Sequence, residues 1–271
     1  MRTGSTEIYT LQTQAITHAG DSPPHRTRAA SGTDRAEHST ETHTMGDNSP
    51  VRTQFTNELV ALTADLTQMC RITHEAAGRM TDALVGADLT ATYEVFALDE
   101  RLQTMYGACE ARTVVLLALQ APVARDLRHV VTAIQIAGEL SRIGHLFSGV
   151  ADQVYLSHPE PVAAAPVLDP LGAMAELAAT ATERAERAVT SGRYSAVDED
   201  APAAMRALNQ KLHTALSDTG DTTDTAIALA LVGHRLAGSL EHTDRIARLI
   251  HFLDTGIPPT AQIVPDDEAA S

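Results

Sequence analysis

The sequence predicts an all-α fold, two tandem three-helix bundles made of six long helices. Three observations predict it. Of the 271 residues, 44% are hydrophobic but only 3% are aromatic and none is Trp, a composition that favours helices packed through Ala and aliphatic side chains over a β-sandwich. Apolar residues recur every three or four positions over most of the chain. The pattern stops at a proline-rich joint and then restarts, which is how a duplicated bundle reads.

The first helix carries one stripe through Phe55, Leu59, Leu62, Leu66, Met69, Ile72, Ala76, Met80 and Leu84. Gly86 ends it, and Asp88 has the short acceptor side chain that caps the next helix. That second helix runs to about Leu119, and Pro122 marks the break after it. The third spans roughly Val123–Leu156 and stops before His158-Pro159. A linker, 159–170, holds prolines at 161, 166 and 170. Helices are then predicted over Leu171–Ser191, ending at Gly192, over Asp198–Leu216, with Pro202 tolerable in the first turn, and over Asp221–Leu253, ending at Gly256. Sliding the third helix onto the sixth matches Leu140 to Leu236 and places Val150, Ala151 and Val154 on Ile246, Ala247 and Ile250. The domains are therefore 51–158 and 171–258, each large enough for its own core, with 259–271 a disordered tail.

Charge and composition bound the function. A formal net charge of −15 argues against nucleic acid as the main partner and against polybasic attachment to anionic lipid. No apolar run reaches the roughly 18 residues of a membrane span, and no signal peptide is legible. Cys70 and Cys109 form no CxxC or metal spacing and read as buried free thiols.

The most specific wording is Leu116–Gly144, LLALQAPVARDLRHVVTAIQIAGELSRIG: an apolar helix end, Pro122, then a helix opening on Arg125, Asp126 and Arg128. A second is Gly233 with Glu241-His242 and Ile246-Ala247-Arg248. Together these resemble the PhoU family, over Val51 to about Thr260. The resemblance implies two tandem three-helix bundles, a homodimer or larger, and no catalysis. It implies a cytoplasmic adaptor, peripheral to the membrane at most, that negatively regulates phosphate uptake and phosphate-responsive two-component signalling. Its partners would be phosphate ABC transporter subunits, the phosphate sensor kinase, or both. Family members often open Met-Arg-Thr-x-Phe, and here the pattern opens Val51-Arg-Thr-Gln-Phe. Since GTG codons serve as starts, the polar residues 1–50 are read either as a disordered N-terminal extension or as an artefact of start-site choice.

The resemblance also implies metal clusters on the third and sixth helices, built from acids at i and i+4, which project from one face a turn apart and supply oxygen ligands to hard cations. This chain departs from that pattern. In the third helix the motif reads Glu139-Leu140-Ser141-Arg142-Ile143-Gly144-His145, with Ser141 and His145 where the acidic pair is expected. In the sixth it reads Leu236-Ala237-Gly238-Ser239-Leu240-Glu241-His242, with Ala237 for the first acid and only Glu241 kept. Ala228, Gln135 and Gln103 also replace charged positions, while Asp99 and Glu110 remain. Two readings stay open. Either the sites are lost or weakened for Mg or Mn and no cofactor is expected, or Glu139, His145, Glu241 and His242 form a divalent site retuned for Zn or Fe.

Arg125, Asp126, Arg128 and Arg142 are the candidate partner-binding residues, with helix-end stabilisation and surface ion pairing as the plainer role of the first three. The adaptor is the expected class and an enzyme is not. HExxH, paired Glu-x-x-His, P-loop and nucleophile-elbow patterns are all missing. A metal-retuned helical protein or enzyme, and a helical scaffold unrelated to phosphate, are the alternatives.

Overall fold

The structure, a computed structural model, describes residues 49–119, 124–193, 200–220 and 222–259. Six helices follow in order: α1 Ser49–Gly86, α2 Leu89–Leu119, α3 Ala124–Ser157, α4 Ala165–Ser191, α5 Ala201–Asp218 and α6 Thr223–Thr255. No strand occurs among the described residues. The expected all-α fold of six long helices is therefore the fold observed. Residues 1–48, Pro122 and the 260–271 tail lie outside the described residues, as do Asp198 and Glu199.

Helix ends follow the capping chemistry. The Asp88 carboxylate accepts from the backbone N–H groups of Thr90 and Ala91 at 2.8 and 3.1 Å, satisfying two donors that a helix start leaves orphaned. Thr222 does the same for α6 through the Thr225 N–H. Gly192 and Gly256 close α4 and α6 in the left-handed conformation, where a side chain would be strained. One boundary differs from the sequence reading. The linker taken to run through Pro170 is helical from Ala165, leaving 159–164 between the halves. Pro166 occupies the first turn, where its missing N–H costs nothing. Pro170 forfeits a hydrogen bond inside the helix, yet Val167, Pro170, Leu171 and Met174 are all buried, so the apolar stripe carries the helix through it.

The α1 stripe is buried from Leu62 through Leu84, with Leu59 only partly covered. Three of the four positions that the duplication pairs are buried alike, Leu140 with Leu236, Val150 with Ile246 and Val154 with Ile250, whereas Ala151 is buried and Ala247 only partly so. Helices α1, α2 and α3 all pack on one another, as do α4, α5 and α6. Two further contacts join the halves, α3 against α6 and α1 against α4, and α3–α6 is as extensive as any within a half. Along that seam Glu139 meets Arg245, Leu146 meets Gly238 and Gly149 meets Arg235. Partners descend along α6 as they ascend along α3, so the two helices run antiparallel.

Cys70 and Cys109 are free and buried. Burial pushes the Cys109 thiol up to about 11 and raises Cys70 further, so neither is a thiolate nucleophile at neutral pH.

Candidate functional site

Of the residues singled out in the motifs, Glu139, Ser141, Arg142, His145 and His242 fall into two polar clusters, one on each side of α3. The first joins α3 to α2. Gln103 donates from Nε2 to Asp99 Oδ1 at 2.8 Å and to the Ser141 carbonyl at 3.2 Å. The Ser141 hydroxyl donates back to Gln103 Oε1 at 2.7 Å. His145 Nδ1 lies 3.4 Å from Asp99 Oδ2. Close approach at Gly144 makes this possible, since a Cβ there would stand 2.6 Å from Leu102 Cδ1 and 3.2 Å from Asp99 Oδ1. One amide thus bridges two acceptor oxygens, the task a cation performs between carboxylates.

The second cluster lies in the α3–α6 seam and centres on Glu139, whose side chain is 3% exposed. His242 Nδ1 is 2.6 Å from Glu139 Oε2. The carboxylate only accepts, so His242 Nδ1 carries a proton and donates it to Glu139. Arg142 Nη1 and Arg245 Nε both reach Glu139 Oε1, at 3.0 and 3.2 Å. Burial pushes the Glu139 carboxyl up, but the His242 hydrogen bond and the charges of His242, Arg245 and Arg142 outweigh it and hold the group below the ordinary glutamate value. A buried carboxylate is tolerated only when paired in this way.

The proposed quartet Glu139, His145, Glu241 and His242 is thereby divided. Glu139 and His242 touch. His145 faces the other cluster with Asp99, and Glu241 is exposed on the outer face of α6. Ala237 and Gly238 carry no ligand atoms, and the Ser239 hydroxyl donates to the Leu236 carbonyl at 2.7 Å. Among the described residues no three His, Cys, Asp or Glu side chains converge as a metal group would need. The residues present do not fit the family's cation clusters. At the α2–α3 position a single carboxylate remains and Gln103 has turned a donor toward it.

Of the partner-binding candidates, Arg142 belongs to the seam. Arg128 lies 5.3 Å over the Phe252 ring and against Gly256, joining the start of α3 to the end of α6. Asp126 stands in the first turn of α3, where a negative charge favours the helix. Arg125 is exposed. Arg245 escaped the sequence reading. The signal for it was its place one turn beyond His242, legible only once the antiparallel register is known.

This is a helical protein with two bundles joined along an ion-paired seam. The comparisons make it more specific. The PhoU domain family matches residues 66–154. The phosphate-specific transport system accessory protein PhoU homolog 1 of Mycobacterium leprae is 31% identical over 79% of this chain and 99% of its own length. PhoU homolog 2 of Mycobacterium tuberculosis is 31% identical over 77% and 100%. The crystal structure of the phosphate transport system regulatory protein PhoU from Streptococcus pneumoniae superposes with a TM-score of 0.60 at 20% identity, covering 75% of this chain and 98% of that one. The chain belongs to the PhoU family.

Proposed function

We propose that this chain is an accessory regulator of phosphate-specific transport, acting as an adaptor through helix faces with no chemistry of its own. The observation that carries the proposal is the match to named accessory proteins across essentially their whole length. On this reading it works in the cytoplasm, restrains phosphate uptake and the phosphate-responsive sensor kinase, and pairs as a homodimer. Exposed Val114, Leu117, Leu127 and Val131 on α2 and α3 supply apolar area for such contacts. No helix among the described residues is long and apolar enough to cross a membrane, which suits docking to a transporter from outside the bilayer. The adaptor is proposed to work without a bound metal, because Gln103 and Ser141 satisfy one another where the family's carboxylates would need a cation.

The test is made in cells lacking the chain. In phosphate-replete medium, labelled phosphate uptake and the kinase's transcriptional output should stay high, and supplying the chain should return both to the replete level. Uptake and output indistinguishable from the parent would sink the regulatory reading. The purified protein, exposed to Mg, Mn, Fe and Zn and desalted, should retain far less than one ion per chain. A stoichiometric ion would sink the metal-free part alone.

A further inference from the structure

The ion-paired arginines outside the α3–α6 seam each face at least one acid of their own, and two of them face a pair. Arg79 faces Asp82 and Glu94, and Arg112 faces Glu58 and Asp65. In the α3–α6 seam the ratio is reversed, for two permanent cations and an imidazole share one carboxylate. The geometry leaves much of that charge facing outward. The Glu139 side chain is 3% exposed, whereas Arg142 and Arg245 are 62% and 57% exposed. A guanidinium has five N–H donors in a planar fork. Glu139 takes Nη1 of Arg142 and Nε of Arg245, so the outer edges of both forks remain toward solvent.

We propose that Arg142 and Arg245 form an oxyanion-binding site, with Glu139 as the buried anchor that positions both guanidinium groups. The ligand class is a carboxylate or a phosphate-type oxyanion, either free or at the tip of a partner's acidic segment. Bidentate guanidinium contacts suit both shapes. Isolated surface ion pairs are weak largely because two long side chains must be ordered to make them. Here that ordering is already achieved on folding, which is the usual route to better affinity from few contacts. The site sits where the two halves meet, so an occupant touches α3 and α6 at once. The proposal is independent of any role in phosphate regulation, since it concerns only recognition of anionic oxygen.

The experiment follows the arginine side-chain N–H resonances of the full chain, together with the backbone N–H resonances of Glu139 and His242 that both wild type and variant retain, while sodium sulfate, sodium phosphate, hexaglutamate or hexaglutamine is added at matched ionic strength. Saturable shifts of Arg142 and Arg245 with the inorganic anions, and none stronger with hexaglutamate, assign a free anion. Shifts that saturate at lower hexaglutamate concentration, with hexaglutamine silent, assign an acidic segment. The double substitution R142Q/R245Q should weaken the response about tenfold or more, with helicity by circular dichroism unchanged. Should that variant misfold, R142Q and R245Q are made singly, and each should weaken the response severalfold. Shifts that do not saturate, or that are equal in wild type and R142Q/R245Q, overturn the site.

Discussion

At the scale of single residues, Glu139 has the largest expected consequence. Its carboxylate is enclosed between helices and touches three nitrogen donors. Glu139→Gln keeps the shape but leaves cations beside a neutral amide, and should lower the unfolding free energy by about 1–3 kcal/mol. The pH dependence has a definite sign. The folded-state value lies below the unfolded one, so the ionised group contributes stability that is fully present above the unfolded value of about 4.3. That contribution is lost as pH falls through the folded value. Urea denaturation from pH 6 down to pH 3 should therefore show a wild-type stability that falls more steeply than that of Glu139→Gln. Parallel curves would mean that the carboxylate carries no net charge stabilisation. His145 is the contrasting case: its side chain is 82% exposed and its contact to Asp99 is 3.4 Å, so solvent screens the pair and its loss should be nearly silent.

At the scale of helices, small residues decide how closely elements approach. A Cβ at Gly233 would stand 2.5 Å from Leu212 Cδ2 on α5, and Leu212 is fully buried. Gly233→Ala should therefore cost about 1–3 kcal/mol by overpacking, despite a better helix former. At Gly78, exposed on α1, a Cβ would meet nothing within 4 Å, so Gly78→Ala should add up to about 1 kcal/mol. Thermal unfolding of the two variants should move in opposite directions, and the same sign for both would refute the packing argument. Helices themselves were legible, because each stripe and each cap is a local signal: Phe55 through Leu84, Asp88, Gly192 and Gly256. The start of α4 was not, because proline punctuation at 166 and 170 outweighs the short apolar pair Val167-Leu168 that the first turn rests on. The candidate site was half legible. Glu139, Ser141, His145 and His242 were identifiable by motif, but which of them meet depends on antiparallel register between helices about a hundred residues apart, and no local pattern encodes that.

At the scale of the molecule, the question is whether two bundles of similar sequence period behave as two proteins or one. Length alone allows each half its own core. The packing argues for one. Buried residues of both halves form one hydrophobic cluster, from Phe55 and Leu62 to Leu249 and Ile250. α1 rests on α4, and α3 on α6. Separating the halves would expose apolar area on four helices and strand the Glu139 carboxylate away from His242 and Arg245. Both costs fall on any state with one half unfolded, so such a state should not be populated. The chain has no Trp, which makes the test direct. Tyr93→Trp reports on α2 and Leu231→Trp on α6, both at exposed positions that tolerate a larger ring. In urea the two fluorescence transitions should share one midpoint and one slope, and coincide with loss of helicity. Midpoints separated beyond experimental error would show that the α3–α6 and α1–α4 contacts are too weak to couple the bundles.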